Sequence, residues 1–218
     1  QEAAEREGLV LMEAFHWRYH PAAARLREII DSGEIGAVRH VDVKTCVPMP
    51  LPGDIRFRYE LAGGSMMDIG SYAVSILRFL AGAEPEVVSA EARLASPGVD
   101  RWVRAELRFP GGVSGRVTTS LFSARLIDVR AVAEGERGRL SVFNPVAPHL
   151  YHRLAVSTPE GRRVEHVSGE TTYTHQLRAF VRWVREGVPM VTDAAYGVAN
   201  MAVIDAIYRK AGLPVRGA

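Results

Sequence analysis

The stretch Trp102-Val103-Arg104-Ala105-Glu106-Leu107-Arg108-Phe109-Pro110-Gly111-Gly112-Val113-Ser114-Gly115-Arg116-Val117-Thr118-Thr119-Ser120-Leu121 decides the fold. Its glycines match neither G-x-G-x-x-G after a strand nor G-x-x-x-x-G-K-[ST], the two loops that cradle phosphate. Trp102 to Phe109 and Val113 to Leu121 both read as strands, so Pro110-Gly111-Gly112 is the turn of a hairpin. No G-x-S-x-G nucleophile elbow occurs anywhere in the chain.

The same period continues outward. Val87 to Leu94, Leu126 to Ala133, Arg139 to Phe143, Tyr151 to Val156 and Arg162 to Val167 read as strands. Ser96-Pro97-Gly98, Gly135 with Gly138, and Pro159-Glu160-Gly161 are the turns between them. Consecutive strands joined by tight turns predict an antiparallel sheet. Val38 to Val47 alternates as a further strand, and the prolines between Pro48 and Gly53 predict a loop after it.

Helices fill the rest. Pro21 to Ser32 is amphipathic, with Leu26, Ile29 and Ile30 apolar and Gly33 closing it. Met66 to Leu80 is apolar except at Asp68, Ser71, Ser75 and Arg78, whose spacing makes one polar stripe on a buried helix. Tyr173, Leu177, Phe180, Val181 and Val184 form an apolar stripe opposite Arg178, Arg182 and Arg185. The last helix, about Asp193 to Ala211 and stopped by Gly212, is small or apolar nearly all round and needs cover on more than one side. The layout is α+β, a large and mostly antiparallel open sheet with helices on one face.

Composition narrows the class. The 218 residues carry 27 Lys+Arg against 25 Asp+Glu, with 47% hydrophobic and 24% charged residues. This balance excludes a disordered chain and gives no support to a nucleic-acid partner. Cys46 is the single cysteine, which excludes a disulfide framework and a Cys-rich zinc site. No secretory signal pattern and no apolar run of about 18 residues is present, so a reduced, cytoplasmic setting is the expectation. The beginning differs from the rest. Gln1 to Gly8 reads as a polar helix, and Leu9 to Phe15 as a strand buried on both faces, as in a parallel sheet. Residues 1–15 are therefore expected to belong to another domain, and residues 16–218 to form the α+β domain.

Asp68 and Tyr72 are the sharpest chemical candidates. Ser65-Met66-Met67-Asp68 fits a capping box, and Tyr72 fits a core tyrosine with a satisfied hydroxyl. The functional alternative is an acid/base pair at a helix N-terminus, for which the phenol needs a nearby cation to work at neutral pH. His16 and His20 have metal-binding spacing, but Pro21 puts them before the helix rather than on it. His149 and His152 flank a loop edge, and no metal site is expected.

Several segments resemble the C-terminal part of the Gfo/Idh/MocA oxidoreductase family. They are Met12-Glu13-Ala14-Phe15-His16-Trp17-Arg18-Tyr19-His20-Pro21, Asp31-Ser32-Gly33-Glu34-Ile35-Gly36, Asp54-Ile55-Arg56, Gly63-Gly64-Ser65-Met66-Met67-Asp68-Ile69-Gly70-Ser71-Tyr72, Thr172 to Phe180, and the closing helix. The resemblance implies a substrate domain like that of glyceraldehyde-3-phosphate dehydrogenase, preceded by a Rossmann domain of which residues 1–15 are the last helix and strand. It implies NAD or NADP as cofactor, and hydride transfer at a hydroxyl-bearing carbon of a sugar, polyol or cyclic diol. It places Tyr72 at the acid/base position, as in the glucose–fructose oxidoreductase, dihydrodiol dehydrogenase and xylose dehydrogenase branch, and has Asp68 orient substrate or the catalytic proton. Arg18 and Arg56 match positions lining the cofactor and substrate cleft, with Tyr173 and Gln176 facing the pocket. A homodimer through the sheet face is implied as well.

Two features depart from the family pattern. Ser65 stands where a third glycine is usual. The Glu-Lys-Pro segment, whose lysine is the cation for Tyr72, and the glycine-rich phosphate loop are both absent, so the 218 residues alone are expected neither to bind a dinucleotide well nor to turn over. The other readings are a non-enzymatic nucleotide sensor of the same fold and, third, a nicotinamide-dependent glycoside-cleaving enzyme.

Overall fold

The computed structural model describes residues 1–49, 53–123 and 127–216. Eight strands form one sheet: β1 (Val38–Cys46), β2 (Glu86–Ser96), β3 (Val99–Arg108), β4 (Ser114–Ser120), β5 (Asp128–Gly135), β6 (Arg139–Phe143), β7 (Arg153–Thr158) and β8 (Gly161–Glu165). Their order across the sheet is β2-β3-β4-β1-β5-β6-β7-β8. All neighbours are antiparallel except β1 and β4, which run parallel in the register Val41↔Gly115, Val43↔Val117 and Thr45↔Thr119. The hairpin reading of Pro110-Gly111-Gly112 holds, with β3 and β4 paired from Trp102↔Ser120 to Arg108↔Ser114. The expected strand from Leu126 begins at a residue outside the described ones, as do Pro50 to Pro52 of the proline-rich loop.

Helices α2 (Pro21–Asp31), α3 (Ser71–Ala81) and α5 (Ala194–Lys210) lie over one side of the sheet. Alternation on the central strands feeds the core there: Val41, Val43, Val103, Ala105, Leu107 and Val117 are all fully or almost fully buried beneath Leu26, Ile76, Leu77, Leu80 and Ile204. The opposite face carries Asp42, Glu106 and Arg116, with the Arg116 guanidinium 2.7 Å from Glu106 and 3.8 Å from Asp42. Of the expected polar stripe, Ser75 and Arg78 lie buried on α3, whereas Ser71 is half-buried and Asp68 belongs to the turn before the helix. Ser75 Oγ lies 2.7 Å from the Tyr196 hydroxyl, and Arg78 donates to Asn200 and Glu84, so the stripe is a hydrogen-bonded seam against α5. No helix among the described residues is long and apolar enough to cross a membrane.

Three expectations need correction. Helix α1 (Glu2–Arg6) forms and is stopped by Gly8 at φ 63°, but Leu9 to Phe15 is not a strand. It makes a single antiparallel bridge, Met12↔Asp193, and Leu9 and Leu11 remain exposed because no strand of this chain lies beside them. Helix α4 (Thr172–Glu186) forms, yet its expected apolar stripe faces outward, with Tyr173, Leu177 and Val184 each about 60% exposed. The face it buries is that of Thr172 and Gln176, packed on the short turn His16–Tyr19. Finally, Ser65 and Asp68 do not form a capping box. The chain enters α3 through a π-helical turn, Met66–Gly70, which changes the spacing, and Asp100 on β3 does the capping instead.

Candidate functional site

The site is built on that π-turn. Its entry depends on Gly64, held at φ 134°, where a Cβ would run into Asp100 Oδ1. Asp100 is fully buried and accepts from Ser65 Oγ, Met66 N–H and the Tyr208 hydroxyl, each at 2.8 Å. The loop before it is stitched down by Gly63 N–H to Arg58 O at 2.8 Å and Gly64 N–H to Arg56 O at 2.9 Å. A rigid loop thus presents Arg56, Asp68 and, one turn later, Tyr72.

Arg56 is shared between two carboxylates. Its Nε donates to Asp68 Oδ2 at 2.7 Å and its Nη1 to Asp54 at 3.1 Å, which holds the Arg56 guanidinium above its ordinary range. Asp68 is only about 29% exposed, so the pairing fixes a carboxylate at the mouth of the site. Tyr72 stands edge-on to Phe15, with ring centroids 5.4 Å apart, and tilted against His16 at 5.7 Å. Burial, with the neighbouring Tyr173 and Asp68, pushes its phenol up to about 12. No cation contributes to that value.

His16 completes the wall. Its imidazole lies tilted against Tyr173, with ring centroids 4.2 Å apart, and Nδ1 lies 2.8 Å from Thr172 Oγ1. His149 approaches the same hydroxyl at 3.3 Å. Burial, then the proximity of His149, lowers His16 to about 4, so it is a neutral imidazole at neutral pH. The metal-type spacing of His16 and His20 concealed this role, and the two rings do different work. His20 Nδ1 accepts Ala22 N–H at 3.1 Å and caps α2.

The structure thus brings Asp68, Arg56, Tyr72 and Tyr173 around His16 and Phe15. Gln176 is buried one turn beyond Thr172, with Nε2 unpaired. Arg18 lies elsewhere. Its guanidinium sits 4.0 Å above the Phe79 ring, and Phe79 is seven residues from Tyr72 on one helix, about 10 Å along the axis.

Comparison with known proteins gives the class. Residues 23–141 match the GFO/IDH/MocA C-terminal domain model. The chain belongs to the GFO/IDH/MocA family. Among its relatives is D-xylose 1-dehydrogenase (NADP(+)) 2 of Haloferax volcanii, 35% identical over 95% of this chain and 64% of the relative. Another is the trans-1,2-dihydrobenzene-1,2-diol dehydrogenase of Mus musculus, 34% identical over 66% of this chain and 43% of the relative. The fold matches aldose-aldose oxidoreductase from Caulobacter crescentus at a TM-score of 0.88, with 22% identity, covering 97% of this chain and 64% of that one. It matches a 3-ketoreductase from Actinomadura kijaniata, solved with NADP and TDP-benzene, also at 0.88, with 24% identity over 96% of this chain and 65% of that one. The chain therefore spans less than two thirds of the length of these relatives.

The described residues offer a dinucleotide little, for Phe15 is almost fully buried edge-on to Tyr72 and leaves little ring surface open. A pyrophosphate finds no open helix N-terminus on the long helices, because His20 caps α2, Thr171 caps α4, Asp193 caps α5 and Asp100 takes the Met66 N–H before α3.

Proposed function

We propose that this chain carries the substrate site of an NAD(P)-dependent oxidoreductase acting on the hydroxyl-bearing carbon of a sugar, polyol or cyclic diol, with Tyr72 as its acid/base. The observation that carries the reading is the constellation at the π-turn, where Tyr72 stands beside a carboxylate fixed by Arg56 and an aromatic wall of Phe15, His16 and Tyr173. A nicotinamide, bound mainly by a further domain of a longer protein, supplies or takes the hydride. Residues 1–15 are the end of that domain, and residues 16–218 the substrate domain.

Each residue then has a task. Tyr72 keeps its proton to about pH 12 as placed, so the chain's own groups set it to give a proton to a forming alkoxide. Taking a proton from an alcohol needs a cation at the phenol oxygen, which the family resemblance assigns to a lysine of the other domain. Asp68, pinned by Arg56, accepts from a substrate hydroxyl and orients it. Tyr173 and Gln176 bound the pocket from α4. A second copy packs on the charged, helix-free face of the sheet to give a homodimer. The organised Asp68–Arg56 pair favours an enzyme over a nucleotide sensor.

The test is Tyr72→Phe in the longer protein, assayed with a panel of sugars and diols and both nicotinamide cofactors. Turnover should fall about 100-fold or more with KM little changed. Activity within a few-fold of wild type removes Tyr72 from this role, and no oxidation or reduction of any panel member by wild type removes the enzymatic reading.

A further inference from the structure

We propose that the cavity beside Arg18 is an anion site, taking a carboxylate or phosphate group on the Arg18 guanidinium. The cavity, about 480 Å³, lies at the far end of α3 from Tyr72 and is lined by Arg18, Arg27, Arg78, Phe79, Glu84 and Tyr196. Two of its three arginines are already neutralised. Arg27 pairs with Asp31 at 2.8 Å and donates to Phe79 O at 3.0 Å. Arg78 grips Glu84 through Nε at 2.7 Å and Nη2 at 2.5 Å, and donates to Asn200 at 3.2 Å.

Arg18 is different. Its guanidinium carbon sits 4.0 Å over the Phe79 ring. Among the described residues, no carboxylate lies within 4.0 Å of this guanidinium. Burial lowers its affinity for the proton, the mark of a cation taken out of water. A partly buried charge is costly unless it is paired, and a planar guanidinium is best paired by a carboxylate or phosphate in bidentate fashion. The negative end of α3 does not serve as that partner, since Arg27 already meets the Phe79 carbonyl. With Arg27–Asp31 and Arg78–Glu84 cancelling, the Arg18 charge is the surplus that an anion would balance.

The anion has two chemical sources, a free small ligand or a carboxylate of the protein itself outside these 218 residues. The experiment is a titration of the 218-residue chain with inorganic phosphate and, separately, with malonate at constant ionic strength, read as the thermal midpoint. A rise of about 3–5 °C at ten times Kd is expected, continuing above Kd with the logarithm of anion concentration. It should vanish in Arg18→Met, which keeps much of the side-chain volume on Phe79, weaken about 10-fold in Arg18→Lys, and survive in Arg130→Met on the opposite sheet face. That logarithmic dependence separates binding from the general stabilisation by excluded salts, which grows in proportion to concentration. No logarithmic rise with either anion, or a rise that persists in Arg18→Met, overturns the site. The same titration on the longer protein distinguishes the sources. A retained rise marks a free ligand. A lost rise, with Arg18→Met lowering that protein's own midpoint, marks an internal carboxylate. A lost rise with no effect of Arg18→Met overturns the proposal.

Discussion

Tyr72, His16 and Arg18 show how differently single residues can be read. Tyr72 and Asp68 were visible because they stand one helical turn apart behind a glycine pair, and the structure adds Arg56 to them at hydrogen-bond distance. His16 was hidden, because its importance comes from Thr172 and His149, which lie far along the chain. Arg18 belonged to a recognisable segment, but the stretch His16–Tyr19 turns through a 3-10 helix and sends neighbouring side chains to different ends of α3. The buried imidazoles set a pH dependence whose sign can be worked out. His16 and His20 each fall from the ordinary 6.5 to about 4 in the folded chain, so below pH 6.5 the unfolded chain binds more protons. Stability is full above that value and is lost as pH falls toward 4, by on the order of 2 kcal/mol per imidazole. Glu165, held at about 2 by Arg25 and Arg163, adds its loss only below its ordinary 4.5. Urea unfolding between pH 7 and 4 should therefore show a steep decline that His16→Asn makes shallower. An unchanged slope in that variant would show that His16 does not titrate as described.

Among the elements, periodicity identified the helices well and their buried faces less well. Helix α5 was expected to need cover on two sides, and it has it on one, with Val203, Ile204, Ile207 and Tyr208 buried while Val198 is 56% exposed. Helix α4 gave a cleaner apolar stripe than α5 and yet turns it outward, because amphipathicity reports that a face is sticky without saying what covers it. Stability should follow the structure and not the stripe. Leu177→Ser is expected to change unfolding free energy by no more than about 0.5 kcal/mol, whereas Ile204→Ala should cost about 2–5 kcal/mol. Equal losses in denaturant titrations would contradict the packing of α4. The π-turn has its own test. Asp100→Ala leaves Ser65, Met66 N–H and Tyr208 without an acceptor in a dry site, beside Arg216 at 3.6 Å, and should cost about 3 kcal/mol or more. A thermal midpoint within a degree of wild type would mean that the entry to α3 is held by something else.

For the whole molecule, the α+β class and the extent of the sheet were legible because strand runs and turn residues alternate without ambiguity between Val87 and Glu165, with helix periods only outside that span. The parallel pairing of β1 with β4 was not, since nothing local to either strand encodes a partner some seventy residues away. Nor was the exposed state of Leu9 and Leu11, since an apolar run does not say what covers it. The proposed homodimer belongs to this scale too. Sedimentation of the longer protein should give a species of twice the monomer mass, and a charge reversal at Arg116, the centre of the helix-free face, should shift it toward monomer. A monomer at every concentration would remove that pairing.

The place of β1 has one more consequence. It is the first strand of this sheet to be synthesised and the last to lose its edges, for its two neighbours are made only after β2 and β3. The sheet is two antiparallel meanders, β2 to β4 and β5 to β8, and β1 is the seam between them. Cutting the chain between β4 and β5 would leave one fragment with an open edge of β1 and another with the matching edge of β5. Those two pieces, made separately, have the complementary shapes of a split reporter.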